Sequence, residues 1–177
     1  MTLSAFLLRF VQDTRGVAAV EMVMLMPVSV LMLFITMEAG HYLYVEHALI
    51  QNLRAAARFG GRQSLVAFNC TGVLGDTALP TSGTLGTIGT NIKTLARFGE
   101  LSPATGAVPP IKTWDAAEVS IVYGCTANTK GIYKTLAYAP YVKVYGTPEY
   151  PTLFGSMTGF TGALRLYAKQ QAVVVGL

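Results

Sequence analysis

Charge is scarce in this chain. Asp, Glu, Lys and Arg make up 12% of its 177 residues, against 52% hydrophobic, and a mean hydropathy of +0.46 lies above that of an ordinary soluble domain. Histidine is scarcer still: the two present are His41 and His47, so none follows residue 47 to serve as a base in the remaining two thirds. Those two are six apart, about 240° around a helix, so one helix cannot bring both to one metal ion. The carboxylates beyond the N-terminal third, Asp76, Glu100, Asp115, Glu118 and Glu149, show no pairing that suits acid–base work. Gly-Lys-Ser/Thr and Cys-x-x-Cys are both missing, which excludes a phosphate loop and a dithiol redox motif. The net charge is +4, but the basic residues are scattered, leaving no nucleic-acid footprint. Enzyme chemistry, a metal, a cofactor and a small-molecule substrate are therefore not expected.

What the chain does have is a long apolar run. Residues 17–37 carry Glu21 as their single charge, and as a helix they extend roughly 32 Å, about the thickness of a bilayer hydrocarbon core. A basic leader with Arg9 and Arg15 precedes them, which favours a cytoplasmic N-terminus and an exported remainder. A cleaved secretory signal fits poorly, because the run is too long and Met37-Glu38-Ala39-Gly40-His41 is a poor cleavage site. A plain signal anchor remains an alternative. Glu21 costs on the order of 2–3 kcal/mol in a spanning helix and needs a partner or access to water. Cleavage after Gly16 would make Val17 a new amino terminus, with Glu21 fifth from it and able to pair with the amine of a neighbouring helix. Pro27 interrupts the run and removes a backbone donor, either a harmless kink or a point of local melting that eases movement out of the bilayer.

These residues carry a resemblance. Arg15-Gly16-Val17-Ala18-Ala19-Val20-Glu21-Met22, followed by Pro27, looks like a class III prepilin sequence. The span from about 14 to 58, with Glu38-Ala39-Gly40-His41-Tyr42 and Arg54-Ala55-Ala56-Ala57-Arg58, resembles the TadE-like pseudopilin family of the tight-adherence (Flp) pilus system. The resemblance implies processing by a prepilin peptidase, with Gly16 before the cut and Val17 after it. Many such pilins place an aromatic residue after the glutamate; here Met22, an adaptable apolar packer, stands there.

Beyond residue 37 the helical pattern continues. Tyr42, Val45, Leu49, Leu53 and Ala56 share one face, while His47, Gln51, Arg54, Arg58 and Arg62 fall opposite. The basic stripe is a solvated face or, at His47, Arg54 and Arg58, a partner face. Gly60-Gly61 predicts a left-handed stop. Residues 64–113 are rich in glycine and threonine, with a Gly-Thr quasi-repeat over 81–90 and a short helix expected through Ile88, Ile92, Leu95 and Ala96. Ala107-Val108-Pro109-Pro110 should break regular structure. Alternation predicts strands at 118–123, 141–145 and 165–175. If this region is exported, Cys70 and Cys125 can join the loop region to the sheet. Seven of nine tyrosines, from Tyr123 to Tyr167, belong to the sheet and core or, with Phe154 and Phe160, to an exposed binding patch.

The expected fold is α+β and pilin-like: a long N-terminal helix, half transmembrane and half amphipathic, against a small antiparallel sheet. The expected division is a leader at 1–16, a stem helix at 17–60 and an extracytoplasmic β-rich head at 61–177. The expected function is that of a minor pilin that initiates, tips or anchors a tight-adherence pilus. Its partners would be the prepilin peptidase, other pilins and the assembly platform of a bacterial inner membrane. The alternative is an unprocessed, single-span periplasmic module for binding or adhesion.

Overall fold

The computed structural model describes residues 16–127, 131–134, 136–155 and 164–176. Residues 1–15 of the expected leader, with Arg9 and Arg15, and Phe160 of the expected aromatic patch lie outside them. The chain divides into two compact units, Met1–His41 and Tyr42–Leu177. Helix α1, Val17–Gly61, contributes to both.

In the first unit every side chain described from 16 to 33 is exposed. The hydroxyls of Ser29 and Thr36 donate back to the carbonyls of Leu25 and Leu33, both at 2.9 Å. These short polar side chains thus satisfy themselves within their own helix, as an apolar environment demands.

In the second unit the steps of three and four do what the pattern predicts. Val45, Leu49, Leu53, Ala56 and Ala57 are buried, while Tyr44, His47, Gln51, Arg54 and Arg58 are exposed. The buried stripe packs on an antiparallel sheet of four strands in sequential order. These are β1 (Leu74–Ala78), β2 (Val119–Ala127), β3 (Tyr138–Gly146) and β4 (Ala168–Val173). Register puts Ile121 opposite Val144, and Val142 opposite Ala172, so one sheet face supplies Val119, Ile121, Val142 and Val144 to the core. The α+β architecture, a long apolar-to-amphipathic helix with a small antiparallel sheet, is as expected.

The end of α1 differs from expectation. Neither Gly60 nor Gly61 is left-handed; both are helical and buried, and what they supply is room. A Cβ on Gly60 would lie 3.1 Å from Ile92 Cδ1, and one on Gly61 2.9 Å from the Val173 carbonyl oxygen. The freed helix-end carbonyl of Gly61 accepts from Val175 N at 2.7 Å, so the segment after β4 closes the helix. Gly61→Ala must push backbone against backbone and should cost about 1–3 kcal/mol, measurable as a lower urea midpoint in detergent-solubilised protein.

The glycine–threonine region also departs from its reading. It contains a four-residue turn, α2 (Leu65–Phe68), then β1, which alternation did not reveal, and a sixteen-residue helix, α3 (Gly83–Phe98). The quasi-repeat is thus the first half of a helix longer than the short one expected. Thr87, Thr90 and Thr94 bond back to the carbonyls of Gly83, Gly86 and Thr90. Gly86 and Gly89 are buried because the Thr81 backbone and the Leu79 side chain come too close for a Cβ. Gly99, left-handed at φ 77°, ends α3. The last strand is shorter than 165–175: Arg165 forms an isolated bridge with Glu149, and the ladder runs from Ala168 to Val173.

Candidate assembly site

Gly16 immediately precedes α1 and is exposed. Among the described residues, a Cβ added there would meet nothing within 4 Å, and its φ is not left-handed. The described fold therefore has no steric need for glycine at 16, in contrast to positions 60, 61, 86 and 89. Val17, 53% exposed, and Met22, 65% exposed, flank Glu21 on the same uncovered segment. Glu21 is exposed as well, and no hydrogen bond or ion pair reaches it among the described residues. It lies just past the first helical turn, which holds no acid. Pro27 is interior to α1, where the Val23 carbonyl loses its i+4 donor. The helix is long and apolar enough to cross a membrane, and none of its most apolar stretch is buried among the described residues.

The candidate partner face lies on the second unit's part of α1. His47 and Gln51 are joined at 2.9 Å between His47 Nε2 and Gln51 Nε2. Arg54 and Arg58 follow along that side, exposed and without a carboxylate partner among the described residues. The structure thus brings His47, Arg54 and Arg58 onto one exposed face, and Gly16, Glu21 and Pro27 onto one apolar segment. Cys70 and Cys125 form a disulfide with Cα atoms 5.8 Å apart, fastening the link after α2 to β2. No group of three or more His, Cys, Asp or Glu suited to a metal occurs among the described residues.

One constellation escaped the sequence reading. On the sheet face away from the core, Asp76 of β1 accepts from Tyr141 Oη at 2.8 Å and from Lys143 Nζ at 2.7 Å, both on β3. These contacts cross over β2, and Gly124 makes the crossing feasible, because a Cβ there would collide with the Tyr141 hydroxyl end. The Lys143 ammonium also sits 4.9 Å from the Tyr141 ring centroid. Hydrogen bonds from Lys143 and then Tyr141 hold the Asp76 carboxyl below its ordinary value, and the bond to Asp76 raises Lys143. The lowered Asp76 value stabilises the fold above the ordinary carboxylate range and ceases to as pH falls through the folded value. The raised Lys143 value acts below the ordinary lysine range and is lost as pH rises through it. Asp76→Asn should therefore flatten the acid limb of a stability–pH profile as pH falls below the ordinary carboxylate value of about 4, read by urea midpoints across the acid range. A glycine within a β run, with Tyr141 and Lys143 two apart on the facing strand, was the available signal.

The tyrosines divide between the two sheet faces. Tyr133 and Tyr150 are buried, and Tyr123 packs on Phe68 with ring centroids 6.0 Å apart. Tyr133 donates to the Val174 carbonyl, and burial raises its phenol. Tyr141, Tyr145 and Tyr167 remain on or beside the outer sheet face, the last two with centroids 6.5 Å apart.

No curated protein and no solved structure matches the chain. A protein-family model described as TadE-like protein matches residues 16–58. That interval opens on Gly16, takes in Glu21, Pro27, His47 and Arg54, closes on Arg58, and leaves the sheet and the disulfide outside it. Over residues 16–58, then, the chain is similar to TadE-like proteins, as the pattern of Gly16, Glu21 and Pro27 indicated.

Proposed function

We propose that this chain is a minor pilin or pseudopilin that helps to assemble a tight-adherence pilus, through initiation, a tip position or anchoring. The observation that supports it most is the conjunction at the start of α1. There a sterically undemanded Gly16 and an unpartnered Glu21 open an exposed apolar helix, and the TadE-like match begins at the same glycine. In this reading residues 1–16 are a leader, 17–60 a stem and 61–177 an extracytoplasmic head. The chain enters the inner membrane with its N-terminus in the cytoplasm, and a prepilin peptidase cuts between Gly16 and Val17. The new amine and the Glu21 carboxylate then give each helix one positive and one negative group at its start. Within a bilayer or an apolar filament these groups are better paired between neighbours than left alone. Pro27 weakens the helix where it must shift from lipid to protein neighbours. His47, Arg54 and Arg58 form a face for other pilins or the assembly platform. The residues carry no catalytic role in this reading.

The mature N-terminus is the test. Mass spectrometry of protein from cells with an active prepilin peptidase should find Val17 first. An intact leader would instead support an unprocessed, membrane-anchored binding module. Glu21→Ala should leave cleavage in place and reduce incorporation into pili at least about tenfold, equivalent to 1.4 kcal/mol of lost pairing; normal pilus yield from this variant would sink the role assigned to Glu21.

A further inference from the structure

The two sulfurs of the disulfide stand in different surroundings. Cys125 is 2% exposed and lies in β2, with Leu74 of β1 opposite it on one side and Pro140 of β3 on the other. Cys70 lies outside any strand, two residues after α2, behind a left-handed Asn69, and is only partly buried. Beside it opens a cleft of about 280 Å³, whose walls include Leu65, Val66, Leu136 and Pro140 as well as Cys70 itself. Val66 is 86% exposed, so this wall is not covered by the protein's own described residues.

Thiol–disulfide exchange needs a thiolate to approach one sulfur in line with the bond, and access selects which sulfur is attacked. We propose that Cys70 is the exchanging sulfur of this protein, reached through the cleft, and that Cys125 is the resolving thiol. In reduction, an incoming thiolate bonds to Cys70 Sγ and the Sγ–Sγ bond breaks. The electron pair leaves on Cys125 Sγ, which takes a proton from water. In oxidation by a carrier disulfide, the Cys70 thiolate attacks first and releases one carrier thiolate. Cys125, deprotonated, then attacks Cys70 Sγ and releases the second, so two electrons pass from the cysteine pair to the carrier. The strand ladder on both sides of Cys125 holds it facing Cys70 throughout, so the mixed intermediate on Cys70 resolves quickly. This assignment does not depend on the pilus reading, since it concerns how the bond is made and kept.

The full chain in detergent micelles tests it with oxidised glutathione as the probe. Cys125→Ser, which leaves Cys70, should form the mixed disulfide at least about tenfold faster than Cys70→Ser, which leaves Cys125. Equal or faster capture at Cys125 would overturn the proposal. Because either variant loses the bridge, a second variant keeps both cysteines: Ala137, next to Leu136, also lines the cleft, and Ala137→Trp places a ring at its wall. It should slow reduction by dithiothreitol at least about fivefold in the folded protein and leave the rate in urea unchanged. An unchanged native rate would remove the cleft as the entry path.

Discussion

Replacing both cysteines, Cys70→Ser with Cys125→Ser, should lower the stability of the second unit by about 4 kcal/mol, the loop-entropy value for a closed loop between the ~15- and ~100-residue cases. The bridge spans a separation of 55 residues, and that interval includes β1, α3 and most of β2. Its loss frees the unfolded chain to explore far more conformations, while the folded state keeps most of its contacts. The residue that loses most in the folded state is Cys70, whose segment has few other ties. Phe68 stays anchored by its contact with Tyr123, but the link from Asn69 to β1 is exposed or half-buried throughout. The expected record is a urea curve with its midpoint shifted to lower denaturant and a slope that rises rather than falls, because the unfolded chain without the bridge exposes more surface. The single tryptophan, Trp114, is 1% exposed within this unit and reports the transition. A shift below about 1 kcal/mol would mean that the unfolded chain is already compact around this loop.

How much of this was legible beforehand depended on where local pattern and tertiary demand agree. The inner face of α1 was readable at Val45, Leu49 and Leu53 because burial on one side of a helix leaves a three-and-four repeat. Strands β2 and β3 were readable because their alternation marks two faces. The Gly83–Phe98 helix was only half readable. Glycine and threonine are poor helix formers in isolation, and what makes glycine suitable is the fold-back of the preceding segment, which brings Thr81 onto Gly86 and Leu79 onto Gly89, a packing requirement that helix periodicity does not display. The same holds for Gly60 and Gly61, where composition indicated a turn and the real requirement was room for Val173 and Ile92. Strand β1 was hidden because most of its side chains are exposed and its pairing with β2 shifts register between Leu74 and Thr77. The candidate assembly site was legible for a different reason. Glu21 is the single charge in a long apolar run and Pro27 sits inside a helix, and residues that oppose their local setting are visible without the fold.

Leu53→Ala and Leu31→Ala should give opposite results although both remove the same atoms from the same helix. Leu53 is 0% exposed and meets Leu49 and Trp114 around Gly146, where even a Cβ would come within 3.2 Å of all three. Removing its isobutyl group leaves a cavity that this backbone cannot fill, so the loss should be about 2–5 kcal/mol. Leu31 is 53% exposed, and its truncation should change the Trp114-monitored stability in micelles by less than about 0.5 kcal/mol. The contrast isolates what the apolar half of α1 is for. From Val17 to Leu33 the large apolar side chains described are exposed, which fits a segment long and apolar enough to cross a membrane. Leu31→Ala should then appear in an assembly measurement or not at all, whereas Leu53→Ala should lower the amount of folded protein before assembly begins. If Leu31→Ala lowered the urea midpoint as much as Leu53→Ala, the two halves of α1 would share one core, and the separation between a folding half and an assembly half would be lost.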